Sequence, residues 1–230
     1  MKKIRKLLLL SITLFLLISC ASTRQNLFYN VSSKEADYAL HLALGTACEK
    51  ASDKLNSQLN KTDFLPSKYD ALKTSQSIPG LSTLMSRMNN YYASYIRESM
   101  DFFSRHIKSL SESYKFKNPI DLLSVSNASA STDFIAKNRN KILQDFTAIM
   151  RKSDRSFFSS CVNQYNAYIT TSNKKNDTDM QLMNEDDLAP YIAEKIVSGY
   201  FELLKSSEEF FRTTPDPYAD ETAAKVFKIN

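Results

Sequence analysis

Apolar residues follow one another along most of this chain with a helical period. Ala36, Ala39, Leu40, Ala43, Leu44, Ala47, Cys48, Ala51, Leu55 and Leu59 recur at steps of three and four, which places them on one face of a helix. Ser32 and Glu35 precede that face at the spacing of a capping box, hydroxyl to amide and carboxylate back to amide. Glu49, Lys50, Asp53 and Lys54 fall on the wet side. Thr62 to Pro66 breaks the pattern, because proline forces the residue before it into extended geometry. Ser67 is then expected to cap a short helix carrying Tyr69 and Leu72, which ends before Ile78-Pro79-Gly80.

The strongest stripe comes next. Leu81, Leu84, Met85, Met88, Tyr92, Tyr95, Ile96, Phe102, Phe103, His106, Ile107 and Leu110 share one broad face, with no proline or glycine between 81 and 118. A helix of about 30 residues would run about 45 Å and form the spine of the fold. After Pro119 one or two helical turns are expected at Ile120 to Leu123, then a loop from Ser124 to Ser131. Thr132 or Asp133 is positioned to cap a helix bearing Phe134, Ile142, Phe146 and Met150, followed by one bearing Phe157, Phe158, Cys161, Val162, Tyr165 and Tyr168. The polar stretch Ser172 to Glu185 reads as a mobile loop. A last long helix is expected from Asp186 or Asp187, with Pro190 in its first turn, where a missing amide costs little. Gly199 inside it points to a close helix crossing, and residues 222 to 227 to a short terminal helix. Nothing reads as a strand pair. The pattern predicts an all-α, single-domain bundle of five to seven helices.

The chain opens differently. Lys2, Lys3, Arg5 and Lys6 precede an apolar run of twelve residues, Leu7 to Ile18. That is too short to span a bilayer and the right length for the core of a signal peptide. Leu17-Ile18-Ser19-Cys20 resembles the cleavage motif of bacterial lipoproteins, which implies cleavage before Cys20 and acylation at that residue. The expected organisation is 1–19 signal peptide, 20–33 acylated cysteine and flexible tether, and 34–230 helical domain. The tether could extend about 45 Å. Membrane attachment through acyl chains on Cys20 sets the expected location outside the cytoplasm, at the outer membrane, on its periplasmic or cell-surface face.

Charge changes the picture once the leader is set apart. The net charge of +5 includes the four basic residues of the leader, so the remainder carries +1. No basic block follows that would track a phosphate backbone, and nucleic acid is set aside as a partner.

The remaining chemistry is sparse. Three isolated glycines exclude a glycine-rich phosphate loop. His41 and Cys48 are seven residues apart, about 10.5 Å of helix rise, too far for a nucleophile–base pair. No metal-ligand spacing occurs. The Asp177-Thr178-Asp179 run has leucines where a calcium loop requires glycine and glutamate. No cofactor signature is found. Cys48 and Cys161 lie on apolar faces, either joined as a disulfide or packed as two buried thiols. Tyr91, Tyr95, Phe102 and His106 lie on one side of the long helix over about four turns. They either belong to an aromatic core or line an apolar groove for a lipid or a partner helix.

Several segments together resemble the bacterial domain-of-unknown-function family 4197, a set of exported helical proteins. Met88-Asn89 through His106-Ile107-Lys108-Ser109 is similar to that family's long helix, and Thr132-Asp133-Phe134 to a helix start. Asp187-Leu188, Tyr191, Glu194-Lys195, Gly199, Phe201, Arg212, Pro215 and Lys225-Val226-Phe227 are similar to its C-terminal block. Tyr91-Tyr92, Ala93 and Tyr218 depart from its pattern. The resemblance implies fold and export, and carries no activity. The expected function is that of a non-catalytic interaction or scaffold protein with an envelope protein partner. The alternative is a carrier or sensor of a small hydrophobic ligand or lipid.

Overall fold

The computed structural model describes residues 30–69, 78–152, 155–214 and 220–227. The expected signal peptide and Cys20 lie outside them. The described residues form seven α-helices with no strand: α1 (Ser33–Gln58), α2 (Leu81–Glu112), α3 (Pro119–Val125), α4 (Ser129–Met150), α5 (Arg155–Asn176), α6 (Glu185–Thr213) and α7 (Glu221–Phe227). Single 3-10 turns occur at Leu59–Lys61 and Ser67–Tyr69. Leu72, expected in a helix with Tyr69, falls outside the described residues.

Helix α1 is the centre. It packs against α6, α2, α7, α3 and α4. Its core face is built largely from alanine: Ala36, Ala39, Ala43, Ala47 and Ala51 are fully buried, and small side chains let several helices approach one axis. The capping box forms, with the Glu35 amide donating to Ser32 Oγ at 3.2 Å and the Ser32 amide to Glu35 Oε2 at 2.8 Å. Val31, ahead of the cap, is buried, so the packed domain starts inside the stretch expected as tether.

Helix α2 has 32 residues and carries the predicted stripe into the core through Leu84, Met88, Ile96, Phe103 and Ile107. Gly80 caps it in the left-handed region, φ 81°. A Cβ there would sit 2.8 Å from the Tyr168 hydroxyl. Helix α6 packs on α1 and α4, while α5 packs on α2 and touches α6.

Five expectations are corrected. The loop at 124–131 is shorter, since α4 begins at Ser129. Its N-cap residue, Ala128, has no side-chain cap, so neither Thr132 nor Asp133 caps the helix. The stretch 172–185 is not a free loop. Helix α5 continues to Asn176, and the segment after it is fastened by side-chain amides. Asn173 bonds both the amide and the carbonyl of Met180 at 2.9 Å, and Asn166 does the same for Met183 at 2.7 and 3.0 Å. Helix α6 begins at Glu185, capped by Asn184, which makes Pro190 its sixth residue and removes a bond to the Asp186 carbonyl. A Cβ at Gly199 would meet nothing within 4 Å, so no close crossing accounts for that glycine.

Candidate functional site

The four residues expected along a groove do occupy one side of α2, but they are not equivalent. Tyr91 is half-buried, stacked on Phe157 at 4.6 Å and parallel to Tyr95 at 6.3 Å. The Tyr95 hydroxyl donates to the Ile149 carbonyl at 2.8 Å, which ties α2 to α4. His106 Nε2 lies 2.9 Å from Asp145 Oδ2, a second tie to α4. Phe102 is 56% exposed and parallel to the His106 ring at 6.2 Å. Three of the four therefore fasten α2 to its neighbours, and Phe102 alone faces solvent.

The two cysteines are free and buried, and the disulfide weighed above is not formed. Cys48 on α1 sits among Tyr200 of α6 and Ser111 of α2, and burial pushes its thiol up to about 11. Burial also raises Cys161 on α5. Thiols held protonated in this way are poor nucleophiles. His41 has both ring nitrogens against backbone carbonyls, those of Asp37 at 2.9 Å and Tyr114 at 2.8 Å. Among the described residues no group of three or more His, Cys, Asp or Glu side chains is placed to hold a metal ion.

Two arrangements were not anticipated from the chain. The first is a buried charge pair near the C-terminus of α6. Glu208 is fully buried and accepts from the amides of Ala130 at 3.1 Å and Ser131 at 2.6 Å. It thus supplies the cap that α4 lacks, from 77 residues away. Arg212, 1% exposed, donates to Glu208 at 3.2 Å, to Ser129 Oγ at 2.9 Å, and to the carbonyls of Ser126 at 2.7 Å and Leu123 at 3.2 Å. These carbonyls lie at and just past the end of α3, so one ion pair satisfies the end of α3 and the start of α4. The guanidinium lies 5.1 Å over the Phe227 ring of α7. Burial lowers the Arg212 pKa and the Glu208 charge raises it. Both residues are in the chain as an i,i+4 pair, the spacing of an ordinary solvated helix pair. Only the fold distinguishes them.

The second arrangement is a cleft of about 310 Å³ at the other end of α6. Tyr92, Phe158, Met150 and Ala189 form its apolar wall, and Arg151, Ser159, Glu185 and Asp186 its polar part. The Tyr92 and Phe158 rings are 4.3 Å apart. Ser159 Oγ donates to Glu185 at 2.7 Å. Tyr92 is 3% exposed. Burial, with the charges of Tyr91 and Glu185, raises its phenol well above the ordinary range. Of the expected groove residues none lines this cleft; Tyr91 flanks it through its contacts with Tyr92 and Phe158.

The model of a family described as a protein of unknown function, DUF4197, matches residues 30–228. The chain belongs to that family, the one its long-helix and C-terminal segments resemble. No curated protein matches the chain, and no solved structure does.

Proposed function

We propose that this protein is a lipid-anchored component of the bacterial cell envelope that works by binding, without catalysis. The observation that carries the reading is the order of segments. A basic start and a twelve-residue apolar run end at Leu17-Ile18-Ser19-Cys20, and the first helix is capped twelve residues later, at Ser32. Among the described residues no helix is long and apolar enough to cross a membrane, so attachment by this domain falls to acyl chains. The first role is that of a scaffold for another envelope protein. The raised thiols of Cys48 and Cys161 and the internally bonded histidines support a binding role. A second reading, a carrier of a small ligand, is favoured by the cleft between Tyr92, Phe158 and Glu185.

Expression of the full chain with labelled palmitate tests anchorage. The wild type should take up label and sediment with membranes. Cys20→Ala should lose the label and keep its leader. Label persisting in Cys20→Ala, or none in the wild type, overturns the proposal.

A further inference from the structure

We infer that the cleft at the start of α6 is a binding site for a small organic cation, an ammonium group carried on an apolar body; this rests on the carrier reading. The argument begins with charges that have no partner. Helix α6 opens with Glu185, Asp186 and Asp187, and the helix dipole alone accounts for acidic residues there. Asp187 is paired, with Lys68 Nζ at 3.1 Å. Glu185 and Asp186 have no basic partner among the described residues, and both face the cleft.

Tyr92 provides the independent observation. The residue is buried and lines the cleft, and its hydroxyl makes no hydrogen bond to the described residues. The buried ring aims this hydroxyl into the cleft, where it is open to solvent and free to accept from a donor that enters. Its ring and that of Phe158 supply electron-rich faces beside the carboxylates. An aromatic wall with carboxylates at one edge is the environment that favours a cation with an apolar body. The volume lies at the small end of ligand sites, suited to a molecule with one ring or a short chain. Among the described residues Arg151 is the one cation lining the cleft. It opposes an ammonium ligand and would attract an anion, so the two carboxylates and Arg151 make opposite claims that an experiment can separate.

Three probes of one shape decide between them: phenethylamine, phenylacetate and 2-phenylethanol, titrated calorimetrically into the full chain in non-ionic detergent. Phenethylamine should bind at least about tenfold tighter than the other two. Glu185→Gln and Asp186→Asn together should remove about tenfold of that affinity. Arg151→Gln should strengthen amine binding, and Tyr92→Phe should weaken it. Arg151 is exposed, so unfolding temperature should not follow its change, and it should fall only slightly when the carboxylates at the helix start are neutralised. Equal or tighter binding of phenylacetate or 2-phenylethanol would sink the cation assignment and leave a ligand site of another chemistry. Absence of binding by all three probes would sink the carrier reading with it.

Discussion

At the C-terminal end of α6, Glu208 is fully buried and accepts from two backbone amides and from Arg212. At the N-terminal end, Glu185 accepts from one serine hydroxyl and Asp186 is exposed beside an open cleft. The same helix thus carries carboxylates in two opposite conditions. A buried carboxylate persists only if its lone pairs are met from within, since an unpaired buried charge costs several kcal/mol. Glu208 is met by the first turn of α4, where the helix dipole adds to the hydrogen bonds, and its full burial keeps it out of a ligand's reach. Glu185 and Asp186 keep capacity because water reaches them. Burial of a charge here marks architecture, and partial exposure beside aromatic rings marks a place for chemistry.

The largest expected effect comes from breaking the sealed end. Arg212→Met should leave Glu208 buried without its cation, and should destabilise the fold by about 3 to 5 kcal/mol. Removing Glu208 as well, as Glu208→Leu with Arg212→Met, should cost less than the single change, because no uncompensated charge is then buried. Denaturant unfolding of the wild type and both variants measures this. A double variant less stable than either single one would show that the pair is worth more than its hydrogen bonds to α3 and α4.

Much of the fold was legible in the chain because its signals are local. The Ser32–Glu35 cap, the alanine face of α1 and the stripe of α2 are settled by residues within a few positions of one another. The start of α4 was not, because its cap is Glu208, which reads in sequence as one more acid on a helix. The segment after Asn176 looked mobile because it is polar. Yet Asn166 and Asn173 spend their amides on its backbone, and Met183 is buried behind them. Polarity signals solvent only when no side chain folds back to meet it. The cleft was illegible for a further reason: its lining comes from α2, α4, α5 and α6 together, and Tyr92 and Phe158 read singly as core positions.

A smaller effect sharpens the contrast through two buried tyrosines. Tyr200 is fully buried, and its hydroxyl donates to the Cys48 carbonyl at 3.1 Å. Tyr92 is buried with no such bond among the described residues. Tyr200→Phe should cost about 1 kcal/mol, the net worth of one internal hydrogen bond. Tyr92→Phe should cost less than that, since it removes a hydroxyl that bonds solvent and no group of the described fold. Thermal unfolding of the two variants side by side gives the ordering. Equal losses would mean that the Tyr92 hydroxyl is already satisfied within the fold, and the cleft would lose its main argument.

The smallest effect belongs to a third kind of carboxylate, exposed and paired. Glu35 at the start of α1 meets Lys225 of α7, and bonding to Lys225 and then to Ser32 lowers its pKa from 4.5 to about 2. Nearby, Tyr38 donates to Asp220 at 2.8 Å, which holds that carboxyl below its usual range. Both shifts have one sign. A carboxylate with a depressed folded pKa contributes stability above its unfolded value, about 4.3 for glutamate, and loses it as the pH falls through the folded value. The α1–α7 contact should therefore be at full strength above about pH 4.5 and loosen as pH approaches 2. Exposure to solvent and salt keeps the contribution small. Amide exchange in residues 221–227 should quicken across that window relative to residues 39–51 of α1, after correction for the pH dependence of exchange itself. Lys225→Met should flatten the dependence, because Glu35 then loses the partner that lowers it most. A dependence that survives Lys225→Met unchanged would assign it to Asp220 and Tyr38 instead, and would leave the capping box at Ser32 as the only work that Glu35 does.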